Sequence, residues 1–269
     1  MGCGSSKQAS DDARRPRPAA SARPPVNVEL QQMGASSSGR SQQYPERTEN
    51  LLTPAIRAEV LRATHHAFGD MPYGIIGGAA LAEYGNRRGT SDLDVIVPHD
   101  VSEAVQGHLL SRGLVRTAGG GLGHVASDGR CYGLDVTSDR AVGQNFSAAR
   151  DIQRLPRTPA HVVTITFLLN SKAYSYMTRV GPDMQAKKIN DANDILFIAA
   201  YMKKTQMRAN KNSCRWVVDY DFWTMFCRDF QGAENTLRAL GLERDPTPSP
   251  SNRQSRASSV SARSRASSS

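Results

Sequence analysis

Residues 73–97, YGIIGGAALAEYGNRRGTSDLDVIV, constrain this chain more than any other stretch. Tyr73, Gly74, Ile75 and Ile76 form a short apolar run that stops at Gly77 and Gly78, which predicts a buried strand entering a tight turn. Ala79, Ala80, Leu81, Ala82 and Glu83 then predict a short helix, with Gly85 placed to end it. Residues 91–97, SDLDVIV, resume as an apolar strand carrying Asp92 and Asp94. Side chains alternate faces along a strand, so these two carboxylates point the same way. Like charges so placed repel, and the arrangement predicts a cation between them.

Further along, Asp128-Gly129 signals a hairpin, and residues 131–137, CYGLDVT, return as a strand with Asp135 among apolar neighbours. An acid inside an apolar strand is costly unless paired or bound to metal, which singles out Asp135. Asp139 competes for that place. It lies past the end of the apolar run, where an exposed acid needs no explanation.

The ordered set Gly77-Gly78, a short helix, Arg88-x-Thr90 and Asp92-Leu93-Asp94 resembles the active-site signature of the DNA polymerase β-type nucleotidyltransferase superfamily. It looks closest to the minimal, antitoxin-regulated and antibiotic-modifying members. The resemblance implies an α/β (α+β) fold, with a small mixed sheet followed by a helical subdomain. It implies that Gly77 and Gly78 hold a nucleoside triphosphate through backbone N–H groups, with Arg88 and Thr90 beside it. It also implies that Asp92 and Asp94 bind Mg²⁺ or Mn²⁺, with a third carboxylate, matched by Asp135, arriving on a later strand. The segments LLNSKAYSYMTR and KKINDANDILFIAAYM are similar to the helical half of the minimal members. That likeness places Lys172 on the triphosphate and Lys188 and Asp191 near the nucleotide, with Lys187 competing for the role of Lys188.

The rest of the chain divides around this centre. Residues 1–50 are rich in Ala, Ser, Pro, Arg and Gln, and 245–269 in Ser, Arg and Pro; neither has the apolar surface to offset its ordering entropy, so both are expected to be disordered. The expected folded parts are a core over 51–170 and a helical subdomain over 171–244. Of 269 residues, 34 are Lys or Arg and 25 Asp or Glu, a formal charge of +9 spread as small surpluses over every segment. That suits a phosphate-bearing substrate but is not the concentrated basic stripe of a dedicated nucleic-acid binder. An RNA end therefore stays among the acceptor classes without support from charge, beside a protein side chain or a small molecule. Cys3, Cys131, Cys214 and Cys227 are too scattered for a zinc motif or a disulfide framework.

Met1-Gly2-Cys3-Gly4-Ser5-Ser6 matches the N-myristoylation pattern, with Gly2 as acceptor and Cys3 as a candidate for palmitoylation. Two chains anchor where one only visits, so the expectation is a protein at the cytoplasmic face of a membrane in a eukaryotic cell.

Thr53-Pro54 predicts an N-capped helix leading into the organising strand. Residues 101–112 have helical spacing and predict a crossover helix. Gly119-Gly120-Gly121 predicts a hairpin turn, not a phosphate cradle, since no Lys-[ST] ending or helix follows. Residues 139–160 are expected to form a loop or lid, 162–169 a strand, and 184–202 a helix with Ile189, Ala192, Ile195, Leu196 and Ala199 on its inner face. Trp216, Tyr220, Trp223, Phe226 and Phe230 predict a helical aromatic core. Three carboxylates in this order favour an enzyme over its rival, a membrane-tethered scaffold that keeps only the fold.

Overall fold

The computed structural model describes residues 51–247, apart from Glu103 and Ala118. The acylation candidates Gly2 and Cys3, the rest of the 1–50 segment and the tail from residue 248 lie outside the described residues.

The sheet is built around the organising stretch. Helix α1, Pro54–Phe68, starts where Thr53 Oγ1 accepts the Ile56 N–H at 3.3 Å, and buries Val60, Leu61, Ala67 and Phe68. It delivers the chain to strand β1, Gly74–Ile75, then helix α2, Gly77–Glu83, and strand β2, Leu93–Val97. After β2 comes a 3-10 turn at His99–Val101 and helix α3, Val105–Ser111, shorter than the helix predicted there. Strands β3, Val115–Arg116, β4, Leu122–Val125, and β5, Cys131–Ser138, form two successive hairpins that turn at the predicted Gly-rich and Asp128-Gly129 positions. Two short strands close the other edge: β6, Ile152–Gln153, preceded by helix α4, Ala148–Asp151, and β7, Val162–Val163. The sheet order is β3-β4-β5-β2-β1-β7-β6. It is mixed: β2 is antiparallel to β1 but parallel to β5, and β7 is parallel to β1.

The helical half follows as α5, Ile165–Thr178, α6, Gln185–Lys204, α7, Arg215–Val218, α8, Tyr220–Asp229, and α9, Ala233–Ala239. The aromatic stripe is a helical core as expected. Trp223 and Phe226 are buried with Phe222, and Tyr176 of α5 meets Phe226 edge-on at 5.4 Å. Asp219 breaks the stripe into two helices by accepting the N–H groups of Asp221 and Phe222. No helix of the described residues is long and apolar enough to cross a membrane.

Three expectations change. The apolar run 162–169 is not one strand: Thr164 caps a helix there, its Oγ1 accepting the Phe167 N–H at 3.3 Å, and α5 begins at Ile165. A run this rich in apolar residues is equally suited to a buried strand or a buried helix, and here packing against α6 decides. Residues 139–160 are not a free loop. They form a 3-10 turn, α4 and β6, and the Gly143 carbonyl accepts from Trp216 Nε1 at 2.6 Å, which ties the segment to the helical half. In α6 the inner face is turned from the predicted one. Ile189 and Leu196 are exposed, whereas Asp191 and Asp194 are buried beside Ala192, Ile195, Ile198 and Met202.

Candidate active site

The register of the central strands sets the site. Asp94 on β2 stands opposite Asp135 on the parallel strand β5. Partners across a parallel ladder present their side chains to the same face, and Asp92, two residues before Asp94, shares it. Thr90 steadies Asp92, its hydroxyl lying 3.2 Å from both the carbonyl and Oδ1 of that residue. Asp135 itself is exposed, so it is register, not burial in an apolar strand, that brings it to this place. Asp139, expected to be exposed, is buried, and its Oδ2 accepts the Phe146 N–H at 3.1 Å. It holds the turn after β5.

Gly77 closes over Asp94. Its φ of +66° is in the left-handed region, and a Cβ there would overlap Asp94 Oδ2. No residue but glycine meets both demands. At Gly78 an added Cβ would fall 3.0 Å from Thr90 Oγ1 and 3.2 Å from Arg88 Nη2, so the glycine turn, the Arg88 guanidinium and the aspartate strand meet at one point. Burial pushes the Asp94 carboxyl up to about 6, with Asp92 and Asp135 adding to the rise and Lys172 and Arg88 opposing it.

Among the described residues no three His, Cys, Asp or Glu side chains stand as a preformed ion cluster. The donor set nevertheless fits a hard divalent cation: three carboxylates on one sheet face supply only oxygen ligands. The like-charge strain on Asp94 is of the kind a cation relieves.

Linked to this face through Arg88 and Lys172 is a second acidic group, Asp191 and Asp194, that the sequence reading half missed. Lys172, on α5, makes ion pairs with Asp191 Oδ1 at 3.0 Å and Asp194 Oδ2 at 2.9 Å. Arg88 grips Asp194 with two bonds of 3.2 Å, Nε to Oδ1 and Nη2 to Oδ2, and Arg179 Nε pairs with Asp191 Oδ2. Burial lowers the affinity of the Lys172 ammonium for its proton, but Asp194 and Asp191 more than offset it, and its pKa lies above the ordinary lysine value. Asp194 has no exposed side-chain surface. Its sequence signal is an acid three residues beyond Asp191, adjoining the core position Ile195. Of the residues expected at the nucleotide, Gly77, Gly78, Arg88, Thr90, Lys172 and Asp191 thus form a connected set with the carboxylates. Lys188 does not join them; its ammonium lies over the Tyr176 ring, 4.5 Å from the centroid.

Comparison with known proteins agrees on the fold. No protein-family model matches the sequence, and no curated protein does. Among solved structures, the chain is similar to an antigenic nucleotidyltransferase-like protein from Paracoccidioides brasiliensis, with 16% identity, 72% of this chain and 96% of that one covered, and a TM-score of 0.50. It is also similar to JHP933 from Helicobacter pylori, at 14% identity over 69% of this chain and 87% of the other, but the TM-score of 0.37 is too slight to argue from. The chain has an α/β, nucleotidyltransferase-like fold.

Proposed function

We propose that this protein is a metal-dependent nucleotidyltransferase that moves a nucleoside monophosphate from a triphosphate to an acceptor hydroxyl and releases pyrophosphate. The observation that carries the reading is the register pairing of Asp94 with Asp135, closed over by a glycine that cannot be replaced. Asp92, Asp94 and Asp135 would hold Mg²⁺ or Mn²⁺. When bound, the metal would lower the pKa of the acceptor hydroxyl and neutralise charge developing on the transferred phosphoryl group.

The chain's own residues would do the positioning. Backbone N–H groups of Gly77 and Gly78, at the start of α2 beside Asp94, would take the triphosphate, and no side chain at Gly77 intrudes. Arg88 and Lys172 supply cationic charge whose effect reaches Asp94, and the buried Asp194 keeps both from swinging into solvent. Phosphoryl transfer asks the protein mainly for position and charge, and both are fixed here before substrate arrives.

The test is incubation of the purified chain with each labelled nucleoside triphosphate and Mg²⁺ or Mn²⁺. Pyrophosphate release that disappears in Asp94→Asn supports the reading. Nucleotide binding with no release under any metal would make the protein a binder with this fold. The N-terminal pattern extends the proposal to location: acyl chains on Gly2 and Cys3 would hold the enzyme at a membrane. A Gly2→Ala protein that still pellets with membranes would exclude that anchor.

A further inference from the structure

At the far end of the sheet from the carboxylates, six basic side chains share one groove. β7 runs parallel to β1 and β2 antiparallel to it, so the N-terminal ends of β1 and β7 lie opposite the end that carries Gly77 and Asp92. Four steps of extended chain lead from Tyr73 to Gly77, a span of about 13 Å. Four segments converge there. The last turns of α1 bring Arg62, His65 and His66, the end of α3 brings Arg112, and Arg154 and His161 flank strands β6 and β7. The groove they line has a volume of about 560 Å³, and among the described residues Asp70 is the one acid on its wall. An adjoining groove, which shares Arg154 and His161, has the apolar side chains Met71, Pro72, Ala148 and Ile152.

The three arginines are little used within the fold. Neither Arg62 nor Arg154 has an ion pair or hydrogen bond to any described residue, and Arg112 reaches only the His66 carbonyl, at 3.3 Å. The wall is also oriented in advance. Tyr73 stacks on Phe68 and on His161, its hydroxyl accepts the His161 N–H at 3.2 Å, and it lies 2.8 Å from His65 Nδ1. Burial pushes the phenol up to about 12, so it keeps its proton, and Nδ1 is the acceptor in reach. That leaves the His65 proton on Nε2, a donor without a partner among the described residues. Burial, then His65 and Arg154, depress His161, which favours its neutral form until an anion adjoins it.

We infer that this groove is a second binding site, separate from the carboxylate site, for a ligand bearing phosphate with two or more negative charges. Guanidinium forks match phosphate oxygens two at a time, and three of them around one concavity repel unless an anion lies between them. The volume is that of a small-molecule site. Among the described residues no Phe, Tyr or Trp lies on its wall for a base to stack on, so the phosphate is what it reads. The phosphate could belong to a soluble metabolite or to a lipid headgroup.

The experiment uses the full chain without acylation, in EDTA, where the carboxylate site repels anions. Inorganic pyrophosphate is titrated calorimetrically while the imidazole signals of His65 and His161 are followed by NMR. In parallel, the chain is sedimented with phosphatidylcholine vesicles that either contain or lack phosphatidylinositol bisphosphate. Expected is saturable binding that moves both imidazoles, is unaffected by Asp94→Asn, and weakens about tenfold for each guanidinium removed in Arg62→Ala and Arg154→Ala, at unchanged melting temperature. Arginine-dependent pelleting would assign the phosphate to a lipid headgroup; pyrophosphate binding without pelleting would assign it to a soluble ligand. Absence of saturable binding in both arms, or binding indifferent to the two arginines, overturns the inference.

Discussion

Two groups of aspartates lie near one another in this molecule, and they are treated in opposite ways. Asp92, Asp94 and Asp135 share a sheet face with each other, and the bases within influence, Lys172 and Arg88, leave Asp94 raised to about 6. Asp191 and Asp194, on α6, are more buried yet meet Lys172, Arg88 and Arg179 directly. The first group is left short of positive charge and the second is supplied with it. On the function proposed above, that difference separates a place for a cation from one that holds the fold, and burial alone would have ranked them the other way round.

The sharpest way to break the comparison is to neutralise one acid in each group. Asp94→Asn or Asp135→Asn should cut metal-dependent pyrophosphate release more than about a hundredfold, the scale on which losing transition-state charge stabilisation is felt, without lowering the melting temperature. Retained turnover in both would remove the metal assignment. Asp194→Ala should do the reverse to the fold. It leaves Lys172 and one face of Arg88 without their shared partner, a loss of about 3 kcal/mol and so a fall of several degrees in melting temperature. Calorimetry that shows no fall would mean that the second group is not structural.

Asp139 offers a control within one strand end. Its carboxylate accepts a buried backbone N–H, so Asp139→Ala should cost about 1–2 kcal/mol in denaturant unfolding while a purified folded sample keeps its activity. If Asp139→Ala abolishes turnover and Asp135→Asn does not, the register reading of the site fails.

What could be read from the sequence follows the range of the interactions. Asp92, Asp94, the glycine turn and the Asp135 strand are legible because strand periodicity and turn chemistry act over a few residues. The start of α5 was not. Residues 162–169 are apolar but for Thr164 and Thr166, and the marker of the helix is the Thr164 hydroxyl that caps it. The Arg88–Asp194 pair joins residues 106 apart in sequence, and no local pattern announces it. The inner face of α6 was misjudged for a related reason: Asp191 and Asp194 look like surface until Lys172 and Arg88 are seen to meet them. The basic groove is assembled from four segments, and sequence spacing gives no sign of it.

The smallest expected effect tests the comparison through pH. In the metal-free protein Asp94 is held near 6 against an ordinary carboxylate value of 3.8, chiefly by burial and then by Asp92. A carboxyl raised on folding weakens the fold where it is charged in both states, which is above about pH 6. The penalty is relieved as pH falls from 6 towards 4, because the folded state binds the proton first. A shift of this size corresponds to roughly 3 kcal/mol, but the side chain is not fully enclosed, and screening reduces the expected net effect to about 1 kcal/mol. Asp94→Asn carries no such charge. In EDTA it should therefore be more stable than the parent by about 1 kcal/mol at pH 7.5 and indistinguishable from it near pH 4. Added Mg²⁺ should narrow the gap at pH 7.5 by stabilising only the parent. Urea unfolding across this range decides the matter: a gap that is constant with pH would mean that the carboxylate face is not under like-charge strain, and the contrast with Asp191 and Asp194 would lose its physical basis.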